Sequence, residues 1–202
     1  MSDTAGKLRL ARAASRLGGG LLPTLVLFCD DERLPNPLKA VSQLPAGAMV
    51  VVRSRQDDLR VALAAAMAEI AAQRDLFVLV ASDTMLAVRL GFGLHLPEAR
   101  MGEISSFRTR HPLLPVTCAA HSLAALARAG ALGADAAFLS PVFASESHPG
   151  QPALGAVRAN LMVRQVELPV YALGGITAAR AARLTGFAGC AAIGAFEHDT
   201  LL

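Results

Sequence analysis

Short apolar runs that alternate with helical patterns predict an α/β chain folded as a (β/α)₈ TIM barrel, with an N-terminal extra helix and a short or missing last helix. The composition agrees: 53% of residues are hydrophobic and 17% charged, the balance expected where parallel strands are buried on both faces. The last two runs also give way to glycine turns, Leu173-Gly174-Gly175-Ile176-Thr177 and Ala191-Ala192-Ile193-Gly194-Ala195, where a strand should hand over to a helix. At 202 residues the chain reads as one domain, 1–202, near the short limit for such a barrel.

Taken in order, Lys7 to Leu17 is basic and helical in pattern but lacks the apolar stretch of a signal peptide. It reads as the extra helix, within residues 1–20, plugging the barrel bottom. The first strand is Thr24–Cys29; no Gly-x-Gly-x-x-Gly follows it, which argues against a dinucleotide fold. The second is Met49–Val52. After it Asp57 and Asp58 suit a helix start, and Leu59, Leu63, Met67 and Ile70 recur at helical spacing. Strands follow at Leu76–Val80, Gly91–Leu96 and Leu114–Cys118, then a helix from Ser122 to Ala131 and a strand at Ala136–Leu139.

The stretch from Ser140 to Gly150 is too polar and turn-rich for a helix and reads as a long loop. A helix from Ala156 to Val166 leads to the strand Val170–Leu173. Thr177 caps a helix running to Thr185, and Cys190–Ile193 is the last strand. Pro115 and Pro169 stand at strand starts, where a missing N–H does little damage. Only Phe196 to Leu202 remain for an eighth helix. A doubly wound open sheet is the alternative to closure.

Several function classes are disfavoured. The net charge is +3 and aromatic residues are few, so the clustered cations and stacking rings of a nucleic-acid surface are missing. No apolar run reaches the roughly 18 residues of a membrane span. Cys29, Cys118 and Cys190 are too scattered for a disulfide framework or a zinc site. They read as buried reduced thiols of a cytoplasmic protein.

In a barrel, functional side chains gather at the C-terminal ends of the strands. That rule brings Asp30, Arg53, Arg55, Ser82, Asp83, His95, Glu98, His121, Ser140 and the glycine turns to one mouth. Main-chain amides of Gly174, Gly175, Ile193 and Gly194 can approach a phosphate closely. Arg53 and Arg55 can grip a diphosphate from one side if the strand continues through them. Ser82 is a further substrate-binding candidate; Asp83 can hold Mg²⁺ with the help of substrate phosphates, the alternative being that Ser82 or Asp83 caps a helix. His121 is the candidate general base, whereas His95 reads as a packed, hydrogen-bonded residue. Ser145, Ser147 and His148 in the long loop can bond phosphate oxygens. Lys7 and Lys39 are poorly placed for a Schiff base, against a lysine aldolase.

These residues also carry a family resemblance. Leu132-Gly133-Ala134-Asp135, Ser140-Pro141-Val142-Phe143, Pro149-Gly150, Ala153-Leu154-Gly155, Leu168-Pro169-Val170 and Gly174-Gly175-Ile176-Thr177 resemble, in order, thiamine phosphate synthase and its TenI relatives. Weaker marks are Val50 to Arg55, Val80 to Asp83, Leu94-His95-Leu96 and Ala120-His121-Ser122. The likeness spans about residues 24–196.

The resemblance implies a barrel that binds thiazole phosphate near the glycine turns. A synthase would join it to an aminopyrimidine diphosphate, with magnesium steadying the pyrophosphate that leaves. A TenI relative would tautomerise a thiazole carboxylate phosphate through a histidine matching His121. The implied partner is a small phosphate ligand: thiazole phosphate, aminopyrimidine diphosphate or thiamine phosphate. A homo-oligomer is compatible with this, and no cofactor beyond Mg²⁺ is implied.

The chain departs from the synthase pattern at several places. It has Arg53-Ser54-Arg55 for Arg-Glu-Lys, Ser82-Asp83 for Asn-Asp, and Ala119 for the serine before the histidine. Pro97, Glu98, Ala99 and Arg100 replace Gly-Gln and an acidic pair whose last member binds magnesium; Glu98 could substitute only from a shifted position. Ser145, Ser147 and His148 replace a threonine pair and a lysine. Single electrostatic groups contribute about 3–4 kcal/mol to such transition states, so the diphosphate side is the weakened one. The expectation is therefore a TenI-like protein, with a true synthase or a non-catalytic phosphate-binding barrel as alternatives. An unrelated phosphate-binding barrel enzyme, such as an isomerase, is a further one.

Overall fold

The strands close into a ring. A computed structural model of the chain describes residues 22–30, 34, 36–144 and 152–192. The expected N-terminal helix, the loop residues Ser145, Ser147 and His148, the turn residues Ile193 and Gly194, and the short last helix lie outside the described residues. Within them the strands are β1 (Leu25–Asp30), β2 (Met49–Arg53), β3 (Phe77–Ala81), β4 (Gly93–Leu96), β5 (Val116–Ala120), β6 (Ala136–Leu139), β7 (Val170–Leu173) and β8 (Gly189–Ala192). Each pairs in parallel with the next, and β8 returns to β1 through Leu25–Cys190, Val26–Ala191 and Leu27–Ala192. The open-sheet alternative is thereby excluded.

Strand alternation separates two cores. Val26, Phe28, Met49, Val51, Leu79, Ala81, Ala136, Phe138, Tyr171 and Ala191 form one cluster, the filling of the barrel. Residues of the opposite parity, among them Leu27, Cys29, Val50, Val52 and Val80, form the other with the helices outside. Phe138 stacks on Tyr171 and meets Phe28 edge-on, so the interior is packed rather than open. The three cysteines belong to the outer layer as buried free thiols, and burial pushes the thiol of each up to about 12. Such thiols stay protonated and unreactive.

The crossovers are α1 (Pro37–Ser42), α2 (Asp57–Arg74), α3 (Thr84–Leu90), a 3₁₀ turn (Glu98–Glu103) running into α4 (Ile104–Arg110), α5 (Leu123–Ala131), α6 (Gly155–Val163) and α7 (Ala178–Ala181). Helix α2 begins at the expected acids, but its inner stripe is Leu63, Ala64, Met67 and Ala71. Leu59, expected on that stripe, is 41% exposed. Helix α7 stops short of Thr185. Asn160 of α6 takes the Thr185 N–H on its Oδ1 (3.0 Å) and donates to the Arg183 carbonyl (3.1 Å). Those two bonds satisfy the groups a longer helix would have used. No helix among the described residues is long and apolar enough to cross a membrane.

Candidate functional site

The C-terminal ends of the strands form the candidate site, and it is built from the strand exits inward. Arg53 is the last residue of β2 and has the inward parity of Met49 and Val51; it is half-buried. The strand ends there. The Ser54 hydroxyl accepts the Gln56 N–H (3.0 Å) and donates to the Gln56 carbonyl (3.1 Å), turning the chain. Arg55 therefore stands exposed in a bend, and strand alternation does not bring it to the side of Arg53.

At the β3 exit Ser82 has a φ of +63°, a left-handed conformation unusual for a residue with a Cβ. Its N–H is held by the His95 carbonyl (2.9 Å) and its own carbonyl accepts from Arg100 Nη1 (2.7 Å). Asp83 follows as the N-cap of α3. Its Oδ1 accepts the Leu86 N–H (2.9 Å), and its Oδ2 accepts from Arg60 Nη2 (3.3 Å). Arg60 also donates to the Ser54 carbonyl (3.1 Å) and to Asp57 (2.8 Å), which ties the β2 and β3 exits together. The alternatives for Asp83 thus resolve structurally towards a helix cap.

This donor set does not fit the magnesium ion that the resemblance implies. Mg²⁺ needs open carboxylate oxygens in near-octahedral order. Both Asp83 oxygens are engaged, and two guanidinium groups converge on Ser82 and Asp83. Glu98 is committed in part elsewhere, its Oε2 accepting the His121 N–H at 2.7 Å.

His95 is packed, as expected. Its Nδ1 lies 3.0 Å from the Thr117 hydroxyl, and its ring meets Phe28 and Phe138 edge-on. Burial, with Arg53 nearby, pushes its pKa down to about 3, so the ring is neutral at physiological pH.

His121 is placed differently. It leaves β5 two residues beyond the inward-facing Ala119, and its backbone is fixed by Glu98. Its Nδ1 lies 2.8 Å from the Ser140 carbonyl at the β6 exit and 3.3 Å from the Ser140 hydroxyl. A carbonyl oxygen only accepts, so in this bond Nδ1 carries the hydrogen. In the neutral ring the other nitrogen, Nε2, then holds a lone pair, the form a general base requires.

Across the ring, Gly174 and Gly175 have φ values of +98° and +60°, consecutive left-handed residues that only glycine adopts readily. The segment after β6 lies against them: Val142 N–H bonds the Leu173 carbonyl (2.9 Å) and Phe143 N–H the Gly174 carbonyl (3.0 Å). The N–H groups of Gly174 and Gly175 have no acceptor among the described residues. Arg180 Nη1 donates to the carbonyls of Gly175 (2.8 Å) and Ala144 (3.1 Å), and its guanidinium lies 5.5 Å from the centre of the Phe143 ring.

The described mouth therefore holds Arg53, Ser82, Asp83, His121, Gly174 and Gly175 at the exits of β2, β3, β5 and β7, with Arg55 outside on its bend. Sequence reasoning missed Arg60, Arg100 as a contact to Ser82, and Arg180. The first two carried a signal, since Asp57–Arg60 and Arg100–Glu103 are i,i+3 pairs of opposite charge. Arg180 carried none, because its partners are backbone carbonyls.

Comparison with known proteins supplies the remaining findings. Residues 25–196 match the family model TMP-TENI, described as thiamine monophosphate synthase. A curated relative, "Putative thiamine-phosphate synthase 2" of Aquifex aeolicus (strain VF5), is 40% identical over 95 residues. That match covers 47% of this chain and half of the relative. A thiamine phosphate pyrophosphorylase structure from Pyrococcus furiosus superposes with a TM-score of 0.70 at 21% identity, covering 84% of this chain and 85% of the other. The YdjI aldolase of Escherichia coli K12 superposes at 0.61 and 14% identity, over 92% of this chain and 80% of its own. At these identities the two structures attest the barrel fold alone.

Proposed function

We propose, because the chain belongs to the TMP-TENI family of thiamine monophosphate synthases, that it acts on a thiazole phosphate and moves a proton on it, as a TenI-like tautomerase of thiazole carboxylate phosphate. The observation that carries this reading is the His121–Ser140 bond, which in the neutral ring supports Nε2 as the proton acceptor. Nε2 takes a proton from one ring position and returns it at another, so no atom is gained or lost. The imidazolium formed between the two steps keeps its Nδ1–H on the Ser140 carbonyl, which holds the ring in place and eases its charge. The phosphate of the same ligand fits the amides of Gly174 and Gly175, which lack acceptors among the described residues. Ser145, Ser147, His148, Ile193 and Gly194 complete that seat in this reading.

A second reading is a synthase that joins an aminopyrimidine diphosphate to thiazole phosphate. Half-buried Arg53 at the β2 exit supports an anion on the β2–β3 side, with Ser82 at the next exit and Arg55 exposed on the bend outside. The engaged oxygens of Asp83 count against it, since that chemistry leans on magnesium in the family. One comparison separates them. Incubation with thiazole carboxylate phosphate in deuterated buffer, and with the two synthase substrates plus Mg²⁺, distinguishes exchange from coupling. Exchange without coupling is expected; coupling without exchange rejects the tautomerase reading. Binding with neither reaction assigns a non-catalytic barrel.

A further inference from the structure

We infer that this mouth takes its anionic ligand free of any divalent cation, the Arg100 guanidinium being fixed on the Ser82 carbonyl beside Asp83, the carboxylate that would hold a metal ion. The inference rests on the reading that the mouth holds a phosphorylated ligand.

Arg100 is held in one orientation. Its Nε and Nη2 grip the two oxygens of Glu103 at 2.6 and 2.7 Å, and Nη1 donates to the Ser82 carbonyl at 2.7 Å. A bidentate carboxylate fixes the guanidinium plane. Guanidinium has five N–H donors, so these bonds leave one on each terminal nitrogen. The side chain is 39% exposed, open to a ligand from solvent. The carbonyl it binds belongs to the residue before Asp83, so a metal on Asp83 would meet a fixed positive charge. Arg60 closes the other side, on Asp83 Oδ2.

The 3₁₀ turn makes this a feature of the fold. Its first residue, Glu98, holds the His121 N–H at the β5 exit, and its third, Arg100, holds Ser82 at the β3 exit. One short element thus positions both the histidine and the cation. A guanidinium delivered in this way needs no ion from solution.

The test uses inorganic pyrophosphate as the probe. It is titrated calorimetrically into the full chain, in chelator-treated buffer and in excess Mg²⁺. Mn²⁺ binding to the free protein is followed by paramagnetic resonance. The expected result is pyrophosphate binding under chelation, no tightening by Mg²⁺, and no bound Mn²⁺. Arg100→Gln should weaken pyrophosphate about tenfold. Tightening by Mg²⁺ of about tenfold or more, or Mn²⁺ binding lost in Asp83→Asn, overturns the inference while leaving the phosphate site intact. Absence of binding in both buffers overturns the inference together with the reading it rests on.

Discussion

Single residues divide the mouth between structure and chemistry, and its two histidines show how. His95 is sealed among Phe28, Phe138 and Thr117, whereas His121 hangs from a backbone carbonyl at the mouth. Sealing has a pH consequence. The folded pKa of about 3 lies below the ordinary 6.5, so the unfolded chain binds the extra proton between those values. The stabilisation is complete above about pH 6.5 and is lost as pH falls towards 3, at a slope approaching 1.4 kcal/mol per unit from this group alone. His95→Gln, which keeps a polar partner for Thr117, should flatten that acid limb in urea titrations run across the range. An unchanged limb would locate the acid sensitivity elsewhere. The packed role of His95 was legible in the sequence because the residue sits inside an apolar run. The engagement of Asp83 was not, because one partner, Arg60, is brought to it by the crossing of two βα units.

At the scale of elements, the alternation of apolar runs located every strand to within two residues, since parity and burial are periodic properties of the chain. Helix ends were less legible. The arrest of α7 depends on Asn160, a residue of another helix, and no local signal announces it. Asn160→Ala should cost about 1–2 kcal/mol, from a carbonyl and an amide that lose their partner, read as a lower urea midpoint with unchanged slope.

The Gly174–Gly175 turn is a more demanding case. A Cβ on Gly175 would strike the Ala144 carbonyl oxygen and come within 2.9 Å of the Phe143 carbonyl and Arg180 Nη1, at a φ of +60°. Gly175→Ala should therefore destabilise the fold by about 2 kcal/mol or more and loosen the segment after β6 from β7. Equilibrium unfolding checks the first effect and amide exchange at Val142 and Phe143 the second. A variant as stable as the parent would mean that the turn relaxes freely.

For the whole molecule, closure of the ring is what gathers these groups. Arg53, Ser82, His121, Ser140 and Gly174 come from five different βα units, and the pairing of β8 with β1 fixes the ring they share. Ligand binding should therefore report on global stability. Thiazole phosphate at 100 times its dissociation constant should add about 2.7 kcal/mol to unfolding, seen as a rise in Tm. No rise at any concentration would remove thiazole phosphate as the ligand. Family membership was legible because its marks fall in order along most of the chain. The choice between synthase and tautomerase was not, because both readings use the same strand exits of the same barrel.

The most direct measurement of the central claim is solvent deuterium exchange into thiazole carboxylate phosphate in chelated buffer, comparing the unaltered chain with His121→Ala. The account predicts exchange without magnesium, falling by roughly 10²–10⁴-fold in the variant. Exchange that survives the substitution, or that demands the metal, would contradict it.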